Sequence, residues 1–393
     1  MVSAAADVSN EKWPYFTPDE VDAVRAVLES GAINQWTGTR VKAFQAAYAE
    51  ACGMPHAVAV FNGTVALELA LRAFGIGPGD EVIVSSRSFM ASASCVSVLG
   101  ATPVFADVDR DSQAITPATI EPLITPRTRA ILPVHLAGWP ADMPAIMTLA
   151  ARHGLAVVED CAQAHGASIG GRPIGSFGHA SAFSFCQDKV ITTGGEGGML
   201  LLRDEAAWRA AWSFKDHGKD PSLTLGAGGT GHFRYVHTSI GTNWRMIEMQ
   251  AAIGLLQLGK LADWVRLRNR NAAIWRRALG QVGCLRVPQP GPGMVHAYYR
   301  FYAFLELGRL RSGVTRDQVL DALTAAGIKA FSGSCPEIYL EGAYAHLGVS
   351  RRPVARELGE TSLAFLVHPT LDPSRLEETA SRAAAIITGL ARD

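Results

Sequence analysis

The stretch that decides the fold is HAVAVFNGTVALELALRAFGIGPGDEVIVSS, residues 56–86. A short apolar run, HAVAVF, leads into Asn62-Gly63-Thr64 and straight on to the helical TVALELALRAFG. GIGPGD supplies the turn, and EVIVSS starts a second strand. The same rhythm recurs in TPVFADV, RAILPVHL and LAVVEDCA, with MPAIMTLAARHG as an intervening helix. Apolar strands alternating with helices predict a mostly parallel sheet covered on both faces. In such sheets ligands collect beyond the carboxyl ends of the strands. The loops after Phe61, Ser85, His135 and Glu159 should therefore surround one crevice.

Near Asn243 the rhythm changes. RMIEMQAAIGLLQLGKLADWVRLRNRNAAIWRRAL reads as one long helix or two abutting ones, and VPQPGPGMVH as a linker or loop. A strand-like YYRFYAFLEL and two helices, TRDQVLDALTAAG and SRLEETASRAAAIITGLA, follow. The expected organisation is an α/β large domain over residues 1–260 and a connecting helix with a smaller α+β C-terminal domain over 261–393.

The bulk composition narrows the function classes. Thirty-six basic and thirty-six acidic residues cancel, which gives no electrostatic case for nucleic acid or an anionic membrane as partner. With 48% hydrophobic residues the chain can bury a large core. No apolar run reaches membrane-spanning length, and MVSAAADVSNEKW has neither the basic segment nor the apolar core of a secretory signal. Six scattered cysteines form no CxxC pair, and neither a zinc site nor a disulfide scaffold is expected. A cytoplasmic location follows from this reading.

Three constellations carry chemistry. FNGTVALELA joins a strand to a helix start, where free backbone N–H groups and the dipole can hold a phosphate; Thr64 could equally be an ordinary N-cap. VVEDCAQAHGA ends an apolar strand with two adjacent acids, one of which should face the crevice; a helix cap would also explain Asp160. FSFCQDKVITTGGEGGML, residues 183–200, sets Ser184 and Lys189 before a glycine-rich turn. Pyridoxal phosphate needs a phosphate cradle, a carboxylate at its ring nitrogen and a lysine for its aldehyde, and this order supplies each once.

These segments, together with GTNWRMIEMQAAIGLLQL, resemble the DegT-type sugar aminotransferases, which are fold type I pyridoxal phosphate enzymes. The correspondence is nearly continuous from about Trp13 to Arg270. By matching position, the resemblance implies that Lys189 forms the Schiff base and that Asp160 pairs with the ring nitrogen. Gln163 would lie near the phenolic oxygen, Phe89 would stack on the ring, and Gly63, Thr64 and Ser184 would hold the phosphate. Asn243 matches an asparagine that reaches the phosphate of the neighbouring subunit, which implies a homodimer with shared sites. Val65 departs from the small residue common at its position and offers only a backbone N–H.

The resemblance implies ping-pong transfer of an amino group from an amino acid, L-glutamate by family habit, to a nucleotide-linked keto sugar, with pyridoxamine phosphate as the intermediate form of the cofactor. A keto-cyclitol or an aminobenzoate precursor is the alternative product class. A non-catalytic regulator would be expected to lack Lys189 or Asp160, and a nicotinamide enzyme would want GxGxxG after an early strand. Arg245 could hold a donor carboxylate or a diphosphate, or form an ion pair. His368 could line the sugar pocket or serve in packing. The polar, glycine-rich stretch 215–237 is long enough for a substrate lid.

Overall fold

The computed structural model describes residues 12–225 and 234–392. Seven strands form the central sheet: β1 (His56–Val60), β2 (Glu81–Ser85), β3 (Thr102–Ala106), β4 (Thr128–Leu132), β5 (Ala156–Asp160), β6 (Ala180–Ser184) and β7 (Gly198–Leu202). Their spatial order is β1-β7-β6-β5-β4-β2-β3. Only β7 runs against the rest, pairing antiparallel with both β1 and β6. Strands β2, β6 and β7 are buried along their whole length, which explains why they read as near-continuous apolar or small residues.

Helices cover both faces. One layer holds α3 (Gly63–Ala73), α4 (Ala91–Ser97) and α6 (Glu205–Lys215), through Leu67, Leu71, Val96 and Ala211. The opposite layer holds α2 (Arg40–Cys52), α5 (Met143–His153) and the first half of α7 (Glu248–Leu279), through Phe44, Tyr48, Ile146 and Ala251. Helix α1 (Pro18–Ser30) lies outside this layer, against α7.

Helix α7 is one continuous helix of 32 residues, and residue 260 lies on it. Its second half enters a separate core with Trp275 and Leu279. There it meets α8 (Arg316–Ala325), α9 (Pro373–Thr388) and a small antiparallel sheet of β8 (Leu285–Arg286), β9 (Phe301–Leu305), β10 (Ala330–Phe331) and β11 (Ser362–Phe365). The expected linker at 287–296 is partly ordered into a strand: Met294–Val295 pairs antiparallel with Ser168–Ile169 of the large domain. The lid expectation for 215–237 falls partly on residues 226–233, outside the described residues.

Candidate active site

The carboxyl ends of β1, β2, β5 and β6 open on one cavity of about 710 Å³. Gly63 and Thr64 follow β1, Phe89 follows β2, Asp160 and Gln163 end β5, and Ser184 and Lys189 end β6; all seven line it. Asn243 does not. It is exposed, and its backbone bridges to Asp216 outside the cavity.

The helix α3 start is capped by Asn62, whose side chain accepts the Val65 N–H at 3.0 Å. Thr64 is therefore not the cap, and the Val65 N–H is already engaged. Gly63 is required by contact: a Cβ there would lie 2.5 Å from Cβ of Ser184. The two strand ends are thereby held together, with Thr64 and Ser184 on the same wall. Behind Ser184, the buried His165 donates from Nε2 to its carbonyl at 2.9 Å and accepts at Nδ1 from the Tyr48 hydroxyl at 2.7 Å. Burial pushes the His165 imidazole down to about 3, so the ring is neutral and this pairing defines its tautomer.

Successive residues of β5 face opposite sides, and this separates the two acids. Glu159 points away from the cavity and accepts from the backbone of Gly175, Phe177 and Gly178 and from His135 Nε2. It is a structural carboxylate. His135 and Cys161 lie close to it, but the His135 Nδ1 already accepts from the Ala141 N–H, which leaves no free metal-ligand set there. Asp160 points into the cavity, where its Oδ2 accepts from Ser92 at 2.8 Å and its Oδ1 from the Ala162 N–H at 3.1 Å. Burial raises its carboxyl above the usual range, opposed by those hydrogen bonds and by the charge of Lys189. No basic side chain forms an ion pair with it among the described residues.

Gln163 is held by the Ala137 N–H, which donates to its Oε1 at 2.7 Å. Ala137 has φ 57°, and its carbonyl accepts the Tyr299 N–H at 2.8 Å. The loop after β4 thus fixes a small-domain tyrosine at the cavity. Lys189 Nζ lies 4.8 Å from the Tyr299 ring centroid. Asp188, next to the lysine, accepts from the Tyr299 hydroxyl and, at 3.2 Å, from Arg300. Sequence reasoning missed Ser92, Asp188, Tyr299 and Arg300. The polar YYR ahead of the strand in YYRFYAFLEL was the one signal that could have raised the last two.

The weaker expectations resolve by geometry. Arg245 donates to Asp216 at 2.9 Å, an ion pair within the chain rather than a cavity contact. His368 is buried, stacks on Trp13, contacts Thr370 at 2.9 Å, and lines a second cavity of about 540 Å³. Of the glycines after Lys189, Gly194, Gly195 and Gly197 adopt positive φ, and Gly198 lets backbone approach backbone: a Cβ there would lie 2.3 Å from the Asn62 carbonyl oxygen.

A seven-stranded, largely parallel sheet with an antiparallel small domain and a lysine-bearing crevice between them is the architecture of fold type I pyridoxal phosphate-dependent aminotransferases. The chain belongs to the DegT/DnrJ/EryC1/StrS aminotransferase family, whose model matches residues 14–382. It is 38% identical over 364 residues to the GDP-perosamine synthase of Caulobacter vibrioides, covering 93% of this chain and 94% of that protein. It is 40% identical over 351 residues to the UDP-N-acetyl-3-dehydro-alpha-D-glucosamine 3-aminotransferase of Acidithiobacillus ferrooxidans, covering 89% and 88%. A solved aminotransferase from Psychrobacter cryohalolentis matches with a TM-score of 0.94 at 45% identity, over 96% of this chain and 99% of that one.

Proposed function

We propose that this aminotransferase moves an amino group from L-glutamate to a nucleotide-linked keto sugar, using pyridoxal phosphate and working as a homodimer in the cytoplasm. The observation that carries the reading is that Lys189 and the buried Asp160, which has no ion-pair partner among the described residues, face one cavity. A carboxylate lifted by burial, with no ion-pair partner among the described residues, fits a protonated ring nitrogen. The Gly63–Ser184 contact brings the α3 N-terminus, Thr64 and Ser184 together as a cradle that fits a phosphate. The donor set therefore suits the cofactor.

When bound, pyridoxal phosphate supplies the electron sink that lets an amino acid lose its α-hydrogen as a proton. Lys189 would hold the cofactor's aldehyde, and its Nζ would take and return that proton. Asp160 would carry its charge to the ring nitrogen, and Ser92 and the Ala162 N–H keep that carboxylate oriented. Gln163, braced by Ala137, would meet the phenolic oxygen, and Phe89, largely exposed in the single chain, would face the ring. The small-domain wall of Tyr299 and Tyr302 narrows the water-accessible side.

Exposure supports the dimer. Ile33, Trp36, Phe61 and Ile247 are all exposed, and backbone bonds join their segments: Phe61 N–H to the Trp244 carbonyl and Glu248 N–H to the Ile33 carbonyl. Asn243 lies on the same stretch, outside its own cavity, as a residue serving the partner's site would. Six unpaired thiols support a reducing compartment, and no helix among the described residues is long and apolar enough to cross a membrane.

A visible absorbance spectrum tests the reading. The protein should show a yellow band that L-glutamate bleaches, and Lys189→Ala should lack the band of the lysine adduct. Keto sugars and keto-cyclitols are then compared as acceptors of the amino form. A colourless protein that gains no band with added pyridoxal phosphate would overturn the proposal, and exclusive turnover of cyclitols would replace its acceptor.

A further inference from the structure

Arg268, on α7, is wholly buried between the N-terminal segment and the small domain. Its guanidinium lies 5.0 Å from the centre of the Trp13 ring. Nη1 donates to the Tyr298 carbonyl at 3.1 Å and reaches the Tyr299 carbonyl at 3.5 Å. Nε and Nη2 have no hydrogen-bond partner, and no carboxylate pairs with the group, among the described residues. The residues it holds are those that bracket the lysine. Trp13, which also packs edge-on against Trp264 of α7, donates from its indole N–H to the Lys189 carbonyl at 2.9 Å. At the other end of the lysine, the Tyr299 ring lies 4.8 Å from Nζ. Burying an unpaired guanidinium is costly, and an apolar chain of similar length would fill the same space without that cost. The charge therefore serves something other than packing. Burial pushes the guanidinium down to about 9, which leaves it charged at neutral pH. Its field reaches the site: His165, behind Ser184, and His368, beside Trp13, are both driven down to about 3, by burial first, with Arg268 among the cations that add to it.

Resting on the pyridoxal phosphate reading above, we infer that Arg268 is a positioning residue for Lys189: it fixes Trp13 and Tyr299 around the lysine, and its unpaired charge favours the unprotonated form of the lysine's linkage to the cofactor. A nitrogen joined to an aldehyde carbon can carry a proton, and a fixed cation nearby opposes that proton. An unprotonated Nζ is free to take the proton that an amino-acid ammonium must shed before its amine can react. Other titratable groups also face the lysine. On its own turn these are Cys186, Asp188 and Glu196, from β5 Asp160, and from the small domain Tyr299 and Arg300. His165 stands behind Ser184, and Arg268 meets Tyr298 and the neighbouring His368 as well. All of them stay in place when Arg268 alone is replaced, so its effect is read as a difference.

The test follows the yellow band of the protein loaded with pyridoxal phosphate as a function of pH. Arg268→Met removes the charge and keeps the length, and should raise the midpoint of that titration by about half to one pH unit. Arg268→Lys keeps the charge and should stay close to the wild type. Arg266→Met, which removes an exposed charge on the same helix, should leave the midpoint unchanged. Far-UV circular dichroism checks that each variant is folded. A second measurement needs no variant: raising sodium chloride from about 0.05 M to about 0.5 M screens exposed charges but not a buried one, so the wild-type midpoint should hold. An unmoved midpoint in Arg268→Met, or an equal shift in Arg268→Lys, would overturn the inference. So would a wild-type midpoint that climbs with salt by about half a unit or more. No band in the wild type would remove the cofactor reading and this inference with it, whereas a normal band whose midpoint ignores Arg268 removes this inference alone.

Discussion

Lys189 is held from two sides: the Trp13 indole donates to its carbonyl at 2.9 Å, and its own N–H donates to the Cys186 carbonyl at 3.1 Å. The backbone is pinned while the side chain faces open cavity, which suits an amine that must leave and return. Asp160 is the opposite case, a side chain whose two oxygens are both anchored. In the proposed reaction its worth lies in its charge rather than its shape. Asp160→Asn keeps the size and loses the charge, and should slow the glutamate half-reaction on the order of 10²–10³-fold, the scale of removing one electrostatic partner of a developing charge. Stopped-flow absorbance measures this; a change of less than tenfold would remove Asp160 from the mechanism. At this scale most of the site was legible, because Lys189, Asp160 and Ser184 each end an apolar strand or follow it closely. Glu159 was not distinguishable from Asp160 by composition. Alternation along β5 says the two face opposite ways, but only the packed sheet says which face holds the crevice.

Among the elements, the tail GGEGGML does the most to shape the site. Gly198 starts β7, and its neighbour across the sheet is Val60 at the end of β1. A methyl group there would press on the Asn62 carbonyl, the residue that caps α3. Gly198→Ala should cost about 1–3 kcal/mol, the usual penalty of overpacking. It should also weaken cofactor binding, because the displaced element is the one carrying Gly63 and Thr64. Urea unfolding and titration with pyridoxal phosphate check the two effects. Lost stability with unchanged cofactor affinity would separate the glycine tail from the cradle. Helix α7 shows what pattern reading left open. RLRNRNAAIWRR reads from its pattern as a solvated helix face or a basic binding patch, yet Arg268 within it is wholly buried, lying under Trp13 and donating to the Tyr298 carbonyl. Helical period places a residue on a stripe, but the partners of that stripe come from residues thirty and more than two hundred positions away.

For the molecule as a whole, two consequences reach beyond the site. The exposed group of Ile33, Trp36, Phe61 and Ile247 should be buried between subunits. Ile33→Asp/Ile247→Asp should therefore shift the protein from dimer to monomer in sedimentation experiments; a wild-type monomer would overturn the shared-site proposal. The second consequence is acid sensitivity. His165 and His296 are wholly buried and held down to about 3, against about 6.5 for a free imidazole. Below about 6.5 the unfolded chain takes up protons that the folded chain refuses. The stability is thus fully present above that pH and is lost as pH falls towards 3. Two such groups add a slope of about 2–3 kcal/mol per pH unit near pH 5. Asp160 offsets part of it, since its raised carboxyl favours the folded state as pH falls. Urea midpoints at pH 6.5 and pH 5 test this, and equal midpoints would mean that these rings are not neutral.

What the sequence determined by itself was the succession of strands and helices, the small domain after the long helix, and the candidate residues that meet at one cavity. Those features are local: apolar period, turn chemistry and a side chain at a strand end are written within a few residues of one another. The tertiary structure alone decided that Tyr299 and Arg300 close on Asp188, that Trp13 clasps the carbonyl of Lys189, and that a cationic cavity adjoins the lysine. Each of those contacts joins segments more than a hundred residues apart, and no short-range preference encodes such a meeting. It follows from how the two cores pack along α7.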